Sequence, residues 1–288
     1  MQSLPDWIAL AGDSLGSGAA TVTLSVAANP GAPRTATISI AGIPVSVAQQ
    51  GTLAINPGGV VNAASYADGA PVALGSIAAA FGSYLLTPPS VGQGMPLPTN
   101  LGGLSLQFGN GMKAPLFYAA DGQVNFQVPW ELAGLLQTTV TATLNGQSSV
   151  SQTVNLTIYA PGIFSINGQG TGQGAILDSS YRLVDSSNPA ARGSTIVLIY
   201  CTGLEPVENQ PPAGIPASSS LFATTTTTPV VTIGGVPAQV QFSGLAPGYV
   251  GLYQVNALVP KESGVGSAVP VAILMGGATS NTVTIAVR

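Results

Sequence analysis

The apolar positions of this chain recur with a period of two, in short runs broken by turn residues. Thr21 to Val26 alternates polar with apolar, as do Thr35 to Ile40 and Ile43 to Val47. Asn29-Pro30-Gly31 and Ala41-Gly42 supply the turns. Val72 to Phe81 reads as one buried strand, ended by Gly82-Ser83, and Thr87 to Asn100 is a Pro/Gly-rich loop. Leu104 to Phe108 and Ala114 to Tyr118 read as a hairpin around Gly109-Asn110-Gly111, and Thr138 to Leu144 with Val150 to Ile158 as another around Asn145-Gly146. Val230 to Ile233 and Ala238 to Phe242 flank Gly234-Gly235, and Val269 to Leu274 and Thr282 to Val287 flank Gly276-Gly277. No segment has convincing helical amphipathicity, although Glu131 to Leu136 admits a single helical turn. Strands spaced by about 8–12 residues with turns between them predict an all-β chain of antiparallel, immunoglobulin-like sandwiches.

Two stretches repeat. Gln123-Val124-Asn125-Phe126-Gln127-Val128-Pro129 and Gln254-Val255-Asn256-Ala257-Leu258-Val259-Pro260 both read Q-V-N-x-x-V-P. A turn pair follows each at the same distance, Asn145-Gly146 after the first and Gly276-Gly277 after the second. Arg192-Gly193-Ser194 opens a strand much as Leu74-Gly75-Ser76 does. The repeat predicts two copies of one β unit, residues 53–165 and 166–288, and the alternating runs before them form a small β module over residues 1–52.

Composition narrows the functional field. Charged residues make up only 6 % of the 288 positions, with six Lys+Arg against ten Asp+Glu, so solubility rests on hydroxyl, amide and backbone groups. The six basic residues are scattered, which argues against nucleic acid as a partner. No run of about 18 apolar residues predicts a membrane span, and Met1 to Leu10 does not have the pattern of a signal peptide. Histidine is absent. The lone Cys201 lies in the apolar run Ile196 to Cys201 and reads as a small buried hydrophobe.

Trp7-Ile8, Gly16-Ser17-Gly18, Val22-Thr23, Asn29, Arg34-Thr35, Thr37-Ile38, Gly42 and Gln49-Gln50-Gly51 resemble the end of a BACON domain, a Bacteroidetes-associated carbohydrate-binding module. Such domains carry further strands before the Trp. The resemblance therefore implies either a fragment of a longer protein or a half-module that completes its sheet elsewhere. Residues 53–288 resemble a second family. Val61 to Tyr66, Pro71 to Ser83, Gly122 to Trp130 and Ala160 to Phe164 carry the first half of that likeness. Gly172 to Leu177, Asn188-Pro189-Ala190, Tyr200 to Leu204, Leu245 to Gly248, Gly251-Leu252-Tyr253 and Ser280 to Ile285 carry the second. These motifs are similar to the Solibacter-type carboxy-terminal domain of large exported acidobacterial proteins, each half resembling an IPT/TIG immunoglobulin-like domain. The resemblance implies an exported or surface protein, and it supplies no catalytic residues.

Several motifs invite chemistry. Gly12-Asp13-Ser14-Leu15-Gly16 spells a GDSL esterase elbow, but such a Ser needs a His base and the chain has none. Gly168 to Gly174 lacks the Lys-Ser/Thr of a phosphate loop and reads as a flexible junction between the sandwiches. Asp178 and Asp185 could meet across a hairpin and hold calcium weakly, although solvation of both carboxylates is the simpler expectation. Glu205 and Glu208 read as solvated loop charges, and Thr224 to Thr228 as a linker tract.

Aromatic side chains are the better functional candidates, because a ring packs on the apolar face of a pyranose while amides hold its hydroxyls. The candidate ligand-binding residues are Trp7, Trp130, Tyr118 and Tyr249; Tyr253 alternates into the core. Trp7 has a competing core reading, and Trp130, after Pro129, reads as exposed or interfacial. The expectation is a non-enzymatic, secreted or cell-surface structural or adhesive segment, with no catalytic residue, cofactor or metal. The alternative is a carbohydrate-binding module. The implied partners are a polysaccharide or glycan, and a second copy of the chain in a homo-oligomer built by β-strand pairing through an open edge.

Overall fold

A computed structural model describes residues 4–12, 21–29 and 33–288. Among the described residues the amino-terminal module has the strands β1 (Ile8–Leu10), β2 (Leu24–Val26), β3 (Arg34–Ile40) and β4 (Ile43–Gln49). They make two separate two-stranded sheets, β1-β2 and β3-β4. Ala41 and Gly42, at φ 50° and 82°, form the tight turn between β3 and β4. The module buries little apolar surface: Ile8 and Ile38 are its buried hydrophobic residues among those described.

The first sandwich contains β5 (Ala54–Asn62), β6 (Val72–Ala73), β7 (Ile77–Ser83), β8 (Ser90–Val91), β9 (Leu104–Phe108), β10 (Leu116–Ala119), β11 (Gln123–Gln127), β12 (Gln137–Leu144), β13 (Gln147–Ser148) and β14 (Gln152–Thr157). One sheet runs β5-β7-β11-β10-β8; the other runs β13-β12-β14-β6, with β9 also on β12. Val72 to Phe81 is therefore not a single strand. Gly75, at φ 69°, breaks it, so that β6 joins one sheet and β7 the other. The hairpin expected around Gly109-Asn110-Gly111 is likewise short. It closes with a Gln107–Lys113 bridge and a bond from Ala114 N to Leu106 O, 3.0 Å. Pro115 then has no N–H to extend the ladder, and β9 and β10 go to opposite sheets.

The second sandwich contains β15 (Gly162–Ile163), β16 (Ile176–Asp178), β17 (Ile196–Thr202), β18 (Val230–Ile233), β19 (Val236–Leu245), β20 (Tyr253–Leu258), β21 (Gly266–Met275), β22 (Ala278–Thr279) and β23 (Val283–Val287). Here the equivalent of β9 and β10 is a true hairpin. β18 pairs with β19, and the ten-residue β19 passes from β18 to β20 through a bulge between Val240 and Phe242. The turn pairs Asn145-Gly146, Gly234-Gly235 and Gly276-Gly277 all have positive φ at both residues, as two-residue hairpins require.

Alternation along β20 and β21 supplies the second core. Tyr253, Val255 and Ala257 point inward from one strand, and Val269, Val271, Ile273 and Met275 from the other. Each large apolar side chain buried in this way contributes roughly 1.5–3 kcal/mol. The apolar core is continuous from the first sandwich into the second. The chain is an all-β protein with tandem immunoglobulin-like sandwiches.

Candidate functional site

The sequence-predicted aromatics scatter. Trp130 is buried, with 5 % of its surface exposed. Pro129 and a 3-10 turn over Trp130–Leu132 fold its indole onto Gly75, where any Cβ would overlap the ring. Trp130 is thus buried rather than exposed, beside Gln210, Pro211 and Pro212 of the second sandwich, and its Nε1 has no hydrogen-bond partner among the described residues. Trp7 is half-buried beneath Arg34, whose guanidinium carbon lies 4.5 Å from the ring centroid. Tyr118 is half-buried in β10, paired across to Asn125 and Val91. Tyr249 is exposed, at 58 %. Tyr253 is fully buried, and its hydroxyl donates to the Glu205 carbonyl.

Tyr249 lines a cleft of about 450 Å³ on the second sandwich together with Tyr181, Tyr200, Leu177, Leu252 and Gln254. Three different local structures bring the three tyrosines there. Tyr200 stands on β17 directly opposite Gln254 of β20. Tyr249 follows a turn in which its N–H donates to Ala246 O at 3.1 Å. Pro247 and Gly248 occupy the two central positions, and Gly248 has φ 83°, the pattern of a type II turn. Tyr181 sits in the left-handed region, at φ 59°, in the loop after β16.

Asp178 holds that loop. Its Oδ1 accepts from Ser180 N at 2.8 Å and Arg182 N at 3.1 Å, and its Oδ2 accepts from Asn188 Nδ2 at 2.9 Å and Arg182 Nη2 at 3.0 Å. The bond from Asn188 and those from the Arg182 and Ser180 backbone hold its carboxyl down at about 2. Asp185 instead accepts from Ser187 N and Oγ within its own turn, which lowers its pKa as well. Asp178 is therefore not simply a solvated carboxylate, because its oxygens serve the turn. Among the described residues no group of three or more His, Cys, Asp or Glu side chains could hold a metal ion.

On the same sheet face, Gln254 Nε2 donates to Asn256 Oδ1 at 2.8 Å. The first sandwich repeats this: Gln123 Nε2 donates to Asn125 Oδ1 at 2.7 Å. Phe81 stands opposite Gln123 as Tyr200 stands opposite Gln254. In the first copy Tyr66 packs on the ring of Phe81, with centroids 6.2 Å apart. The Q-V-N motif was visible in the sequence; its aromatic cross-strand partners were not, because they depend on strand register.

A second concentration of polar side chains lies between the sandwiches. Thr202 Oγ1 donates to Gly251 O at 2.8 Å and accepts from Ile77 N at 2.9 Å. Gln127 Nε2 donates to Gly75 O at 3.2 Å, and its Oε1 accepts from Gly214 N at 2.7 Å. Asn62 Nδ2 donates to Ala160 O at 2.8 Å. Asn281 donates to Ile163 O and Gly170 O at 2.9 and 2.7 Å. The glycine-rich loop expected to be a flexible junction is therefore fastened. Gly170 N also donates to Ser165 Oγ at 2.9 Å, and Ile166 N to Gln173 O at 2.9 Å.

Glu205 departs from expectation too. It is buried, at 3 % exposure, and accepts from Thr227 N at 2.7 Å and Thr226 Oγ1 at 3.1 Å. The threonine tract is consequently no free linker: Thr225 N also donates to Ser243 O at 3.0 Å. The run of hydroxyls and amides supplies the donors that a buried carboxylate requires. Cys201 is fully buried, and burial pushes its thiol pKa up. In the GDSL motif, Asp13 and Ser14 lie outside the described residues. No helix of the described residues is long and apolar enough to cross a membrane.

No family model matches the chain, and no curated protein matches it. Among solved structures it is similar to the SGBP-B protein of the Bacteroides ovatus mixed-linkage glucan utilization locus, in complex with a mixed-linkage heptasaccharide. That match has 13 % identity and a TM-score of 0.31, covering 98 % of this chain and 59 % of that one. It is also similar to the I9-I11 tandem of titin, at 12 % identity and TM-score 0.21, covering 99 % and 83 %. Domains 4–9 of the surface layer protein SbsC match at 13 % identity and TM-score 0.24, covering 92 % and 36 %. The chain thus spans little more than half of the glucan-locus protein and about a third of the surface-layer structure. At these TM-scores the likenesses carry over no residue and no ligand.

Proposed function

We propose that this chain is a non-enzymatic β-sandwich segment of a secreted or surface protein, with a structural or adhesive role as a rigid unit. The observation that carries this reading is the buried polar junction, in which Gln127 and Thr202 each hydrogen-bond across both sandwiches. Buried amides and hydroxyls hold partners in fixed geometry, because a displaced partner leaves an unsatisfied group in low dielectric. The resemblance to the Solibacter-type domain supports the same role through its motifs over residues 53–288. Denaturant unfolding tests the reading: the sandwiches unfold together if the junction holds, and separately if it does not.

A second reading, glycan binding, is favoured by one observation, the tyrosine-lined cleft around Tyr200 and Tyr249. The open-edge assembly belongs to the first reading. Among the described residues, neither two-stranded sheet of the amino-terminal module pairs with a further strand. Sedimentation across a wide concentration range tests it, and a monomer throughout would remove it.

A further inference from the structure

The two sandwiches carry the same arrangement on corresponding strands but leave it in different states. In both, a Gln and an Asn two residues apart are joined by their side-chain amides, and an aromatic ring stands opposite the Gln. In the first copy Tyr66 packs on that ring. In the second copy the neighbouring loops carry exposed tyrosines, Tyr181 at 70 % and Tyr249 at 58 %. The ring of Tyr200 there lines an open cleft of about 450 Å³.

Among the described residues, no Asp, Glu, Lys or Arg side chain lines that cleft. An ionic ligand would find no counter-charge in it. What the cleft offers is ring surface, tyrosine hydroxyls and the amide of Gln254. One N–H of Gln254 Nε2 donates to Asn256 Oδ1, which orients the amide, and its carbonyl oxygen is an acceptor. Aromatic ring surface beside hydroxyls and an oriented amide matches a ligand whose faces are C–H and whose rim is O–H. Burial raises the pKa of Tyr200, and the neighbouring Tyr181 and Tyr249 add to the rise.

We infer that this cleft is a binding site for an uncharged pyranose chain. Tyr200 and Tyr249 supply the stacking surfaces, Tyr181 forms the side of the cleft, and the Gln254 carbonyl accepts from a sugar hydroxyl. Asp178 acts as a positioning residue, because its carboxylate fixes the turn that carries Tyr181. The inference rests on the glycan-binding reading and assigns it a place and a ligand class.

The test is affinity electrophoresis and calorimetric titration of the full chain against cellohexaose, xylohexaose, mannohexaose and maltohexaose, with trigalacturonate as the charged comparison. At least one neutral hexaose is expected to bind and trigalacturonate is not. Tyr249→Ala and Tyr200→Ala should each weaken binding by about tenfold or more. Tyr200→Phe should retain most of it, which separates lost stacking from lost folding, and Gln123→Ala in the first sandwich should leave it unchanged. Binding that survives both alanine variants would overturn this site while leaving glycan binding to another surface. Absence of binding to every neutral hexaose would overturn the site and the glycan reading together, and preferential binding of trigalacturonate would overturn the ligand class.

Discussion

Gln127 of the first sandwich accepts a hydrogen bond from the backbone N–H of Gly214 in the second, at 2.7 Å, while its own amide donates to Gly75 O. The repeat shows why this is a junction device. The corresponding position of the second Q-V-N-x-x-V-P stretch is Leu258, an apolar residue that cannot make this bond. Gln127→Leu, copying the second repeat, leaves the Gly214 N–H without its partner. It should destabilise the chain by about 1–3 kcal/mol, read from the urea midpoint.

Gly75 and Trp130 form a second coupled pair. Gly75→Ala places a methyl group into the indole at a positive φ. The expected loss is about 3 kcal/mol, from overpacking and backbone strain together. A shift in Trp fluorescence should accompany it. An unshifted midpoint would mean that the indole does not lie on Gly75.

Asp178 gives a pH signature. Its folded pKa, about 2, lies below the ordinary carboxylate value, so its stabilising contribution is complete above about pH 4. The contribution fades as pH falls and is gone below about 2. Asp178→Asn should be less stable than the parent at neutral pH, and its stability should fall less between pH 4 and 2. Thermal melts of both proteins across that range check this. Identical acid limbs would show that Asp178 is free of the turn.

Cys201 should be inert while the chain is folded. Its thiol is fully buried and its pKa is raised by desolvation, so thiolate is scarce at neutral pH. A thiol reagent should modify it only at the rate of unfolding, with full reaction in denaturant. Rapid labelling under native conditions would contradict its place opposite Tyr253 on β17.

The fold was legible in the period-two patterning and in the turn pairs, because both are local properties. Asn145-Gly146, Gly234-Gly235 and Gly276-Gly277 all stand at turns with positive φ. What escaped the sequence depends on long-range pairing. The β9–β10 hairpin ends where Pro115 withholds a donor, and Trp130 is buried because Gly75, 55 positions earlier in the chain, vacates space for it. Glu205 looked like a surface charge until the threonine tract folded back to supply its donors. Of the candidate aromatics, Tyr249 lies in the cleft, but Tyr181 and Tyr200 reach it through the register of β17 against β16 and β20.

Buried hydrogen bonds and a shared apolar core join the two sandwiches over residues 53–288. Scanning calorimetry of the full chain tests this joining most directly, through the ratio of calorimetric to van't Hoff enthalpy. The locked structure predicts one transition with a ratio near one for these sandwiches, and a second transition emerging in the Gln127→Leu variant with Thr202→Val added. Two resolved transitions in the unmodified chain, one per sandwich, would contradict it.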